Sequence, residues 1–108
     1  MKEDKESIIG TVQLSIPPWI AGMLNIPSSD WIILKKGIGK DTTIGTVLSE
    51  LALGSNEFRE AVFNPDAGGN RGQVMVFLNN SIVHNLDIEG TRLNSGDSIR
   101  LLPIYMGG

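Results

Sequence analysis

The chain has 108 residues, a formal net charge of -3, one histidine and no cysteine. That length is one domain's worth, able to bury roughly two-thirds of its unfolded surface around a single core, and the missing cysteine excludes disulfides, thiolate metal sites and a thiol nucleophile. The nine basic residues are scattered along the sequence, which argues against a surface that tracks nucleic-acid phosphates.

The opening MKEDKESIIG alternates charges and lacks the apolar stretch of a signal peptide. No later run approaches the ~20 apolar residues of a membrane span, so a cytoplasmic protein is expected. Residues 1–7 carry no hydrophobic pattern and are expected to be a disordered tail; the domain is expected over 8–106, with 107–108 as an exposed end. In IIGTVQLSI, Val12, Leu14 and Ile16 alternate with Thr11, Gln13 and Ser15, the period of a strand with one buried face. Pro17 and Pro18 end it. A single helical turn is possible over Trp19–Leu24, and WIILKKG forms a second strand, rich in β-formers and hairpin-paired with the first across a long loop.

DTTIGTVLSELAL places Ile44, Val47, Leu48 and Leu51 at i, i+3, i+4 and i+7, an amphipathic helix capped by Thr42 or Thr43 and stopped by Gly54 and Ser55. NEFREAVF makes a shorter helix presenting Phe58, Ala61 and Val62, before the turn-dense NPDAGGNRG. In QVMVFLN, Val74, Val76 and Leu78 face one way and Met75 and Phe77 the other, so both faces of this strand are expected to be partly covered. Asn79-Asn80-Ser81 turns the chain into the strand IVHNLD, because asparagine tolerates positive φ. A turn at Asn94–Asp97 leads to the last strand, SIRLLPIY. The pattern predicts an α+β fold: a mixed four- to five-stranded sheet with one main helix on one face, the last strand returning to the centre parallel to the first.

Chemistry-bearing constellations are few. GIGKDTTIG sits between a strand and a helix, yet a phosphate loop needs Ser or Thr after Gly-Lys, and here Asp41 follows Lys40 while Leu34 occupies the first glycine position. Thr42 stands where a dinucleotide fingerprint has its third glycine. His84 has no second candidate ligand in register and reads as a hairpin residue. Asn79-Asn80-Ser81 matches the glycosylation pattern but reads as a turn, and Asp87 and Glu89 read as a solvated loop. No nucleophile, base and orienter assemble, so no enzyme and no bound metal or cofactor is expected.

The end, LLPIYMGG, is different. Gly107 and Gly108 follow a strand directly, and an arm without side chains can thread a channel in which a Cβ would clash, presenting the carboxylate of Gly108 at a catalytic centre of a partner. An α-carboxyl with a pKa of about 3.5 is an anion at neutral pH and a poor electrophile. Activation has to come first: an adenylating partner using ATP and a metal ion would make an acyl-adenylate, open to a sulfur or nitrogen nucleophile.

VMVFLNNSIVHNLDIEGTRLNSGDSIRLLPIYMGG resembles the C-terminal half of the small ubiquitin-like sulfur carriers of the thiamine and molybdopterin pathways (ThiS/MoaD type). The resemblance rests on Asn79 at a strand end, Thr91 with Leu93, Gly96 with Asp97, Pro103, and Gly107 with Gly108. It implies a β-grasp fold and a non-enzymatic carrier, able to serve as the small subunit of a sulfurtransferase complex. Gly108 would be adenylated by a ubiquitin-activating-enzyme-like adenylyltransferase, converted to a thiocarboxylate with sulfur from a persulfide donor, and used to supply an acceptor synthase subunit. Gly107 would give clearance, and Leu102, Ile104, Tyr105 and Met106 would help form the docking surface, Leu102 opposite the inward Leu101. Met106 stands where many sulfur carriers have a small residue and ubiquitin has an arginine, so the resemblance chooses neither activating partner nor pathway. Two other readings remain open: a protein modifier joined to lysine through Gly108, and a β-grasp interaction subunit with a vestigial end.

Overall fold

The computed structural model describes residues 8–63 and 73–104. The N-terminal seven residues, the NPDAGGNRG segment and residues 105–108 lie outside that range. Strand β1 (Gly10–Ile16) runs into the short helix α1 (Pro18–Met23), then come β2 (Ile32–Ile38), helix α2 (Ile44–Leu51), a 3-10 turn at Ala52–Gly54 and helix α3 (Asn56–Phe63). Strands β3 (Gln73–Leu78) and β4 (Ser81–Val83), a 3-10 segment at Asn85–Gly90 and β5 (Ser98–Ile104) complete it. The five strands form one sheet in the order β2-β1-β5-β3-β4. β1 and β5 pair in parallel and every other pairing is antiparallel. This is the expected arrangement, with the last strand between the first and the third.

The core follows from the alternation read in each strand. Val12, Leu14 and Ile16 of β1, Val74 and Val76 of β3, and Ile99 and Leu101 of β5 are all buried on one side of the sheet. They pack in one cluster with Ile20 and Ala21 of α1, Ile44, Val47 and Leu48 of α2, and Phe58, Ala61 and Val62 of α3. Removing each large aliphatic or aromatic side chain from water contributes about 1.5–3 kcal/mol. α2 and the expected shorter helix α3 are eight residues each, and the i, i+3, i+4 apolar set of NEFREAVF is buried like that of α2.

Local signals act where they were read. Thr43 caps α2: its Oγ1 accepts from the Thr46 N–H at 3.2 Å, while Thr46 Oγ1 accepts from the Thr43 N–H at 3.4 Å. Ser55 Oγ accepts from the Phe58 N–H at 3.1 Å, starting α3 where α2 and its 3-10 turn stop. α1 begins with Pro18 in its first turn and is closed after its C-cap Leu24 by Asn25, whose φ of 62 lies in the left-handed region. One strand is shorter than expected. β4 stops at Val83, and residues 85–87 of IVHNLD join the 3-10 segment. The Asp87 N–H donates to the His84 carbonyl at 2.8 Å, which turns the chain so that Ile88 enters the core.

Candidate functional site

Of the motif residues quoted from the sequence, Asn79, Gly96 and Asp97 converge at the base of β5, while Pro103 pairs with Val74 toward its other end. Asn79, with φ 58, turns the β3–β4 hairpin and also bonds across to β5: its N–H donates to the Ser98 carbonyl at 2.7 Å, its Oδ1 accepts from the Ser98 N–H at 3.1 Å, and its Nδ2 donates to Asp97 Oδ1 at 3.2 Å. The other carboxylate oxygen of Asp97 accepts from the Asn94 N–H at 2.8 Å. Gly96, at φ +92, donates its N–H to the Thr11 carbonyl at 2.9 Å, a conformation that glycine adopts without Cβ strain. Thr91 Oγ1 donates to the Asp87 carbonyl at 2.7 Å, and buried Leu93 follows it, its N–H donating to the Thr42 carbonyl at 2.9 Å. The contacts of Asn79, Gly96 and Asp97 set the register in which β5 enters the sheet.

At its other end β5 is progressively released. β1 accompanies it only from Ser98 to Arg100, whereas β3 pairs with it as far as Ile104. The cause is Pro17-Pro18, which turns the chain from β1 into α1. From Leu101 onward β5 therefore has a strand partner on one side among the described residues. Leu102 is half-buried, opposite Met75, and lies on the face away from the fully buried Leu101. Ile104 is the last residue of β5, in register with Gln73. Tyr105, Met106, Gly107 and Gly108 lie outside the described residues.

The face of the sheet that carries Leu102 is open. Ladder partners align into one row across all five strands, Ile33, Ser15, Arg100, Phe77 and Ile82. No described helix covers that row, since Ile33 is 60% and Ile82 52% exposed. Phe77 is half-buried because the Arg100 guanidinium lies over its ring at 5.5 Å from the centroid. One row nearer the end of β5, Leu102 faces Met75, while one row nearer the base stand Lys35, Gln13 and Ser98. Apolar character thus rises toward the end of β5. The outward positions Met75 and Phe77 were legible in the sequence, but Arg100, Ile33 and Ile82 were not singled out. Their signal was the alternation in SIRLLPI and WIILKKG, which sends a second apolar set outward on both strands.

The remaining sequence candidates stay apart from this face. His84, Asp87 and Glu89 are exposed around the 3-10 segment. In GIGKDTTIG, Thr42 Oγ1 accepts from the Gly39 N–H at 2.8 Å, closing an ordinary turn, and exposed Asp41 lies 3.7 Å from Arg92. No described helix is long and apolar enough to cross a membrane.

Similar structures share this architecture. Small archaeal modifier protein 1 of Haloferax volcanii superposes with a TM-score of 0.61 at 20% identity, covering 92% of this chain and 100% of that one. Its namesake in Methanosarcina acetivorans gives 0.60 at 18%, covering 92% and 97%. CysO of Mycobacterium tuberculosis gives 0.55 at 23%, covering 85% and 97%. These likenesses establish the ubiquitin-like β-grasp fold. No curated protein sequence matches the chain. The ThiS family model matches residues 33–108, from β2 through the β5 base motif to the two glycines, and the chain is therefore a member of the ThiS family.

Proposed function

We propose that the protein is a sulfur carrier whose Gly108 carboxylate is activated and converted to a thiocarboxylate. The observation that supports it most is the ThiS match over residues 33–108, which contains both the latch at the base of β5 and Gly107-Gly108. A carboxylate oxygen of Gly108 attacks the α-phosphorus of ATP, and pyrophosphate leaves with the bonding pair; the metal ion in the partner's site offsets the phosphate charge. A persulfide sulfur then attacks the acyl carbon and AMP leaves, giving an acyl disulfide. A thiol supplies the two electrons that cleave its S–S bond, releasing the thiocarboxylate for an acceptor of the molybdopterin or thiamine type. The chain supplies the carrier group and a docking surface built around Leu102, Ile104, Tyr105 and Met106. ATP, metal ion and sulfur donor belong to the partners, with the chain itself acting as their substrate in the cytoplasm.

A second reading has a specific observation behind it, since two neighbours of this fold are named as modifier proteins. Lysine would then attack the acyl-adenylate, giving an isopeptide bond to Gly108. Intact-mass spectrometry of the protein from its native host separates the readings. Replacement of one terminal oxygen by sulfur is expected for the carrier, and a branched peptide for the modifier. Deletion of Gly108 is expected to abolish either function with little change in the unfolding midpoint. Unmodified carboxylate after incubation with host extract, ATP and a sulfur source would leave an interaction subunit as the better account.

A further inference from the structure

We propose that the free edge of β2 takes up an extended segment of a partner protein as an added strand, one whose core runs apolar, apolar, apolar, acidic, in a contact separate from the chemistry at Gly108. The sheet has two edges, and they are unlike. β4 is three residues long, too short to template a further strand, whereas β2 pairs with β1 over all seven residues from Ile32 to Ile38. No described strand meets the other side of β2. The outward N–H and C=O groups along that side form a ladder ready for strand addition.

The side chains of β2 specify the occupant. On the core side Val12, Leu14 and Ile16 of β1 are sealed, but their ladder partners Lys36, Leu34 and Ile32 are only half-buried. Ile32 and Leu34 therefore keep apolar area at the edge that a further strand would cover. On the outer side Ile33 is 60% exposed, and exposed Lys35 makes no ion pair among the described residues, while Lys36 reaches Glu50 of α2 at 3.9 Å. Apolar residues suit the positions opposite Ile32, Ile33 and Leu34, and a carboxylate suits the one opposite Lys35, because opposite charges across a ladder attract. A second copy of this chain is the wrong occupant. Paired antiparallel about a two-fold axis, β2 would set Lys35 opposite Lys35 or, one step along, Lys36 opposite Lys36. Lysines in mid-strand thus reject self-pairing and leave the edge selective for an acidic segment. β1 stands between β2 and β5, so a segment held at this edge leaves β5 untouched.

The test is an NMR titration of the isotope-labelled full chain with two capped peptides, three valines followed by a glutamate and the reverse order, each flanked by serines. The two orders cover parallel and antiparallel addition. At least one is expected to shift the amides of residues 32–38 more than those of β4 or β5. Replacing its glutamate by lysine is expected to weaken binding about five- to tenfold, and Lys35→Glu to weaken the glutamate peptide by as much while restoring the lysine one. A folding defect in Lys35→Glu cannot mimic that rescue. Methylating alternate backbone nitrogens of the peptide removes its ladder donors and is expected to abolish binding. Shifts centred on Arg100 and Phe77, binding indifferent to the exchange of charges, or no binding of either glutamate peptide at millimolar concentration overturns the proposal. So does a wild-type dimer in sedimentation whose cross-chain NMR contacts map to β2, which would make a second copy the occupant. Each of these results leaves the carrier reading of Gly108 standing.

Discussion

At its base β5 is fastened from both sides: Asn79 and Asp97 bond it to the β3–β4 turn, and the Gln13 N–H reaches the Asp97 carbonyl at 3.0 Å from β1. Past Arg100 β1 has departed and, among the described strands, β3 alone continues beside it, with half-buried Leu102 turned outward. The contrast shows how one strand serves two purposes. Hydrogen bonds concentrated at the base fix its register, so the far end can forgo strand pairing on one edge. The two sides of the strand divide in the same way, with Leu101 sealed into the core and Leu102 turned outward.

Substitutions can break this contrast or sharpen it. Leu101→Ala is expected to cost about 2–5 kcal/mol by denaturant unfolding, because Leu101 is fully buried in the core cluster. Next comes Gly10→Ala. A Cβ there would lie 2.3 Å from Ser95 Cβ and 3.2 Å from its Cα, so the loop leading to β5 must move, for about 1–3 kcal/mol; Ser95→Gly in the same chain is expected to restore part of it. Asn79→Ala removes a left-handed turn residue and the side-chain bonds to Ser98 and Asp97, a loss of about 1–3 kcal/mol. Asn79→Gly keeps the turn but not the amide, so its midpoint should lie between those of wild type and Asn79→Ala. Leu102→Ala has the smallest expected effect on stability, within about 1 kcal/mol for a half-buried side chain. A cost for Leu102→Ala equal to that of Leu101→Ala would show that the outer face is core after all.

Much of this arrangement was legible because its signals are local. The alternation in TVQLSI, the i, i+3, i+4 spacing of Ile44, Val47 and Leu48, the Thr43 cap and the asparagine turn each depend on residues within one element. The strand in IVHNLD is shorter than its alternation predicts, since a 3-10 turn from Asn85 carries Ile88 into the core. The motif Asn79, Thr91, Leu93, Gly96 and Asp97 was visible as a pattern, but its physical role was not. Asn79 and Asp97 lie 18 positions apart, and only folding brings their side chains together.

The amino-acid order by itself determined the elements, the inward set of each strand and the two glycines after the last one, because side-chain period and turn chemistry are properties of short segments. Tertiary structure alone decided which outward residues share a row. Ile33, Ser15, Arg100, Phe77 and Ile82 come from five separate strands. Their alignment depends on the parallel register of β1 with β5, and that register is set by long-range hydrogen bonds and core packing, which no single segment encodes.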